Sequence, residues 1–266
     1  MKLTLIALSA VAMLSPALAD AQTAPAEAPK TEAAAASPLT GNISLVSDYR
    51  FRGISQTFKQ PAIQGGFDYA HESGFYVGTW NSSVSGNQFP NGGGIEMDFY
   101  GGYKFPVGGD ITLDIGLLQY YYPGAFYNGF TGKPKYDNLE VYFGASMGPF
   151  SGKVYYALSD FFGLSSTVGG SGSKGSYYID LGYTGEIFAK TTLVAHVGYQ
   201  SVKNYGDLSY WDYKIGVNYD IYNGFMLGAA IVGTNADKNL YYAVDGSGRT
   251  KTLGDTTVVF SLSKTF

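Results

Sequence analysis

The chain carries two histidines, His71 and His196, and no cysteine. A hydrolytic centre built on His196 would need a serine nucleophile and a third group to orient the ring. Ser and Asn are common throughout, so chance neighbours are expected, and no G-x-S-x-G, H-E-x-x-H or Walker pattern appears. Asp237, Asp245 and Asp255 share one long connection, but their spacing fits no calcium cage. The runs Gly92-Gly93-Gly94 and Gly169-Gly170-Ser171-Gly172 do not sit between a strand and a helix, so they do not read as phosphate cradles. Neither catalysis, a metal nor a cofactor is expected. The charges that ask for an explanation are Arg50 and Arg52, two positions apart. With them go Asp48, Asp68, Glu96, Asp98, Asp114, Glu140, Asp180, His196, Asp212 and Lys214, each embedded in otherwise apolar alternation. Charges spaced in this way can line an interior and set which solutes pass.

Strands would have to hold them. Successive residues of a strand point to opposite faces, so period-two alternation separates an oily face from a polar one. Leu139, Val141 and Phe143 oppose Asn138, Glu140 and Tyr142. Ile95, Met97 and Phe99 oppose Glu96 and Asp98, and Tyr213, Ile215 and Val217 oppose Asp212 and Lys214. At the end of the chain Val258, Phe260, Leu262 and Phe266 share the oily face, with hydroxyls on the other. Twelve such segments are read near 41–52, 62–72, 74–83, 94–104, 110–121, 137–147, 152–158, 176–186, 191–200, 210–219, 224–233 and 256–266. On this reading Tyr49 and Phe51 face outward from the first segment, while Asp48, Arg50 and Arg52 face inward. The third segment is ambiguous, because Phe75/Val77 and Tyr76/Trp80 are both apolar.

The connections carry a second signal. Glu72–Gly74, Phe105–Gly109, Gly148–Ser151, Ile187–Lys190 and Ile221–Asn223 are short. The intervening ones are longer, and Thr234–Asp255 is the longest; only the first, Gly53–Pro61, is of moderate length. Antiparallel strands send alternate connections to opposite ends, so one rim is tight and the other looped. That asymmetry belongs to outer-membrane barrels, whose periplasmic turns are short and extracellular loops long.

Composition agrees. Aromatics make up 16% and charged residues only 14%, low against the soluble norm near 25%. Mean hydropathy is -0.03, which excludes a bundle of apolar membrane helices. The net charge of -4 leaves no footprint for nucleic acid. Lys2, the apolar run Leu3–Leu14 and the Pro16–Ala19 site read as a signal peptide over 1–19. Residues 20–38 read as a disordered Ala/Pro-rich linker, and 39–266 as the barrel.

The stretch Ser47-Asp48-Tyr49-Arg50-Phe51-Arg52-Gly53-Ile54-Ser55 resembles the opening of the TorF porin family, a proteobacterial group of conserved hypothetical outer-membrane proteins. Pro61-Ala62-Ile63-Gln64-Gly65-Gly66-Phe67-Asp68-Tyr69, Gly74–Trp80, Glu96–Gly102, Tyr120–Pro123 and Ser261–Phe266 are similar to it as well, so the likeness spans about 41–266. It implies an outer-membrane porin barrel with no catalytic residues and no defined solute.

The expectation is therefore an all-β protein, a transmembrane antiparallel barrel of about 12 strands in the outer membrane. Its partners would be outer-membrane lipid, the barrel-assembly machinery acting on the last strand, and small solutes or ions diffusing through the lumen. The competing expectation is a non-conducting barrel with a structural or surface-interaction role, because a twelve-strand bore is narrow.

Overall fold

The structure is a computed structural model that describes residues 38–91 and 93–266. The expected signal peptide and all but Pro38 of the expected linker lie outside the described residues. The strands in chain order are β1 Leu39–Val46, β2 Arg50–Phe51, β3 Ile54–Ser55, β4 Ala62–Ala70, β5 Phe75–Ser83, β6 Ile95–Gly108, β7 Ile111–Tyr121 and β8 Asn138–Met147. They continue as β9 Phe150–Ala157, β10 Tyr177–Phe188, β11 Thr191–Ser201, β12 Tyr210–Tyr222, β13 Phe225–Thr234, β14 Tyr242–Val244, β15 Thr250–Thr252 and β16 Thr257–Thr265.

Twelve of them close an antiparallel barrel in the order β1-β16-β13-β12-β11-β10-β9-β8-β7-β6-β5-β4. Closure is made by β1, which pairs Leu45 with Leu262 of β16 on one side and with Ile63 of β4 on the other. No open sheet edge remains in the ring, as lipid requires of any spanning structure. The remaining pairs, β2–β3 and β14–β15, stand outside the ring as separate hairpins.

The exterior is oily around the whole circumference. Phe67, Phe75, Leu117, Phe143, Leu181, Ile215 and Phe260 are all at least 50% exposed, which in water would be a severe liability. Among the described residues no helix is long and apolar enough to cross a membrane, so strands make the crossing. An oily exterior on a closed bacterial barrel places the protein in the outer membrane. Phe75 and Val77 face out, and Trp80 faces in against the Tyr49 ring at 5.4 Å, which resolves the third segment.

Eleven of the twelve expected segments match a barrel strand with ends within four residues. The first does not. Its strand stops at Val46, and residues 47–61 turn into the barrel instead of continuing along the wall. Tyr49 and Phe51 were expected in lipid; they are buried, Phe51 completely. The reason is a local hairpin. Arg50 pairs with Ser55 and Phe51 with Ile54, around the two-residue turn Arg52-Gly53. Both turn residues have positive φ, 42° and 81°, as a type I′ hairpin requires. With this correction the first connection, 47–61, is long, and the alternation of loop lengths has no exception.

Candidate functional site

The inserted segment is held by charge, hydroxyls and rings together. Asp48 accepts from Arg50 Nε at 2.6 Å, from the Ser55 hydroxyl at 2.6 Å and from the Thr57 hydroxyl at 3.3 Å. These bonds fold the segment back on itself. Arg50 Nη1 donates to the carbonyls of Gly53, Leu253 and Asp255, which ties it to the connection before β16.

Arg52 reaches the far wall. Its Nη2 donates to Glu140 Oε2 of β8 at 2.8 Å, and its Nη1 donates to Gln200 of β11 at 2.6 Å. The guanidinium lies 4.2 Å from the Tyr178 ring centre and 5.2 Å from that of Tyr155. Stacked aromatic faces suit a planar cation that has lost its water. The side chains of Arg52 and Glu140 are 0% and 1% exposed, so this is a dry ion pair. Phe51 packs edge-on against Tyr120 at 6.1 Å and leans on Phe162 from the connection after β9.

Loops close over the segment from the looped rim. Phe89 stacks on Tyr122 at 4.6 Å, and Tyr136, Tyr127 and Phe162 extend the cluster. Gln88 Nε2 donates to the Ser55 carbonyl, and its Oε1 accepts from the Phe58 amide. On the other flank Ile54, Phe58, Tyr210, Tyr241, Ala243 and Leu253 form a second buried cluster. Lys59 Nζ sits 3.1 Å and Lys238 Nζ 3.3 Å from the Asp255 carboxylate. Burial raises the Asp255 carboxyl, but the Thr252 hydroxyl and Lys59 outweigh it and hold the group at about 2.

The structure puts every residue singled out for the interior inside the barrel, but in two different settings. Toward the looped rim, Glu96, Asp98, Glu140 and Asp212 are buried, as are Asp48 and Arg52 on the inserted segment. Glu96 accepts from the hydroxyls of Tyr122 and Tyr49, and Asp212 from Tyr178. Asp68 toward the tight rim, and Asp180, His196 and Lys214 further along their strands, are partly exposed to the lumen. There His196 Nδ1 lies 2.9 Å from Asp180, and Asp114 receives Lys153 Nζ at 2.9 Å and the Tyr76 hydroxyl at 2.6 Å. Lys153, Tyr76 and Tyr100 were not singled out as site residues; parity placed Tyr100 inward with Glu96 and Asp98, whereas Tyr76 lies on the segment whose parity was ambiguous. His71 lies exposed at a turn of the tight rim, bonded to Ser73.

Among the described residues no group of three or more His, Asp or Glu could hold a metal ion. His196 is bracketed by two carboxylates, Asp180 and Asp212, the latter 3.4 Å from Nε2. Its ring is thus held between carboxylates of β10 and β12.

Residues 30–266 match the model of a family described as a bacterial protein of unknown function, Gcw_chp. The chain belongs to that family. Its fold is similar to solved porins. The KdgM porin aligns with TM-score 0.51 at 7% identity, over 85% of this chain and 98% of that one. A structure described as the KdgM porin in complex with disordered oligogalacturonate aligns with TM-score 0.50 at 6% identity, over 86% and 97%. The NanC porin aligns with TM-score 0.52 at 9% identity, over 86% and 98%. At these identities the likeness is one of fold, a porin-like barrel of nearly the same extent. No curated protein matches the sequence.

Proposed function

We propose that this barrel is an outer-membrane porin for small hydrophilic solutes, with its outer mouth narrowed by its own first loop. The observation that carries this reading is the solvated part of the lumen. Asp68, Asp180, His196 and Lys214 stay partly solvated inside a closed barrel, as groups lining an aqueous path do. The resemblance to TorF porins supports the same reading. Arg50 and Arg52, whose shared parity suggested a role in charge selectivity, act instead by holding the loop in place. Selectivity falls to the groups that water reaches. The last strand, with Phe260, Leu262 and Phe266 outward, is the segment the barrel-assembly machinery would engage.

Single-channel recording of the purified protein in planar bilayers tests the reading. Stepwise conductance, with swelling of proteoliposomes in small sugars, is the expected result. The dry outer half favours a second reading, a non-conducting barrel whose loops are the working surface. Absence of both channel events and swelling would establish that alternative.

A further inference from the structure

The inserted segment does not press equally on all sides of the barrel. The inward residues nearest the looped rim differ from strand to strand. On β5 through β9 they are Trp80, Ser82, Glu96, Asp98, Leu118, Tyr120, Asn138, Glu140, Tyr155 and Ala157, and all are buried. Tyr178, Gln200, Tyr210 and Asp212 continue that dry wall through β12. On the three strands that close the ring the pattern changes below the rim; at the rim Ala62 of β4 is still buried and Val46 still packs against the Tyr49 and Phe51 cluster. Thr257 and Val259 of β16, Ser44 and Val46 of β1, and Gln64 of β4 are all partly exposed, though they face inward. Deeper along β16, Ser261 is exposed in the same way.

An inward residue can meet water only in the lumen. The loop therefore leans on the β5–β12 wall, while toward β16, β1 and β4 it is held at the rim by Arg50 on residues 253–255 and by Val46 and Ala62, with the inward faces below those contacts left open. The side-chain anchors within the wall itself lie on the far side, Arg52 on β8 and β11 and Tyr49 on β6, whereas Arg50 holds the connection just before β16. The loop still begins beside the vacated wall, where the Ser47 amide donates to the Phe260 carbonyl.

Resting on the porin reading, we infer that solute passes the first loop through a crescent along β16, β1 and β4, and that this crescent selects small uncharged hydrophilic solutes. Its barrel side carries hydroxyls, an amide and two valines, with no ionisable side chain among Ser44, Val46, Gln64, Thr257, Val259 and Ser261. On the loop side, Asp48 and Arg50 neutralise each other at 2.6 Å. An ion entering the crescent would lose bulk water and gain no fixed countercharge, whereas a polyol or sugar exchanges water for hydroxyls. The solvated charged residues Asp180, His196 and Lys214 lie on β10 to β12, outside the strands of the crescent.

The chain has no cysteine, so single-cysteine variants test the path cleanly. Ser44→Cys and Ser261→Cys are compared with Ala157→Cys, an inward position on the dry wall. A charged methanethiosulfonate reagent should label Ser44→Cys and Ser261→Cys and cut conductance several-fold, leaving Ala157→Cys unaffected. Cationic and anionic reagents should shift ion preference in opposite directions at the first two sites. In the unmodified protein, swelling should be faster with a neutral sugar than with a charged sugar of the same size. A conducting protein in which Ser44→Cys and Ser261→Cys stay unlabelled, or are labelled without effect, overturns the crescent while leaving the porin intact. Faster swelling in the charged sugar overturns the solute class. A protein with no channel events at all overturns the porin reading and the crescent with it.

Discussion

The two halves of the lumen use the same residue types to opposite ends. Near the looped rim, Arg52 and Glu140 are an ion pair without water, closed in by Tyr155 and Tyr178. On β10 and β11, His196 and Asp180 are the same kind of pair with side chains 22% and 29% exposed. A buried pair is costly to form and far more costly to break on one side, because the survivor is stranded without solvent. A solvated pair can lose a partner and let water take its place. The dry pair therefore works as a clasp and the wet pair as a lining. What separates them is the inserted first loop, with the rings packed over it, which excludes water around Arg52.

Glu140→Ala should have the largest effect. It strands the Arg52 cation in a dry site, a loss of about 3–5 kcal/mol in the folded state of the inserted segment. Conductance should rise and protease should cut within 47–61, read by bilayer recording and limited proteolysis. Arg52→Met combined with Glu140→Met should recover much of that loss, because apolar replacement of both partners removes the stranded charge.

Gly53→Ala comes next. The turn needs φ of +81° there, and an added Cβ would collide with Thr234 Cγ2. A cost of about 1–3 kcal/mol is expected, seen as earlier unfolding of the loop in a urea titration. Should Gly53→Ala be silent, the loop is held by its clasp alone.

In the wet half, Asp180→Asn should change stability by no more than about 1 kcal/mol. It should instead move reversal potential toward anions in a salt gradient. A large loss of stability with unchanged selectivity would erase the contrast between the halves.

The smallest effect concerns the outer latch on Asp255. Its folded carboxyl, held at about 2, lies below the unfolded value of about 3.9. The latch is thus fully in force above about pH 4 and weakens as pH falls through about 2. Proteolytic nicking of the connection after β13 should increase over that range, and Asp255→Asn should remove the pH dependence.

Much of the barrel was legible because lipid and lumen impose strict parity. A charge such as Glu140 or Asp212 cannot face acyl chains, so its inward direction followed from its neighbours alone. The first segment misled for the same reason. Asp48, Arg50 and Arg52 keep perfect parity through a region that is not wall at all, because a two-residue hairpin also alternates its faces. The available clue was the Arg52-Gly53 dipeptide between two short alternating pairs, a hairpin signal overridden by the longer run.

By itself the sequence determined that this chain forms a closed barrel of twelve strands with an oily outside and a charged inside, since period-two alternation and loop lengths are local properties that each segment carries with it. Only the tertiary structure decided that residues 47–61 leave the wall, cross the bore and clasp β8 and β11. That choice depends on Glu140, Gln200, Tyr155 and Tyr178 converging on one guanidinium from four different strands, and convergence across a closed ring is invisible in any one of them.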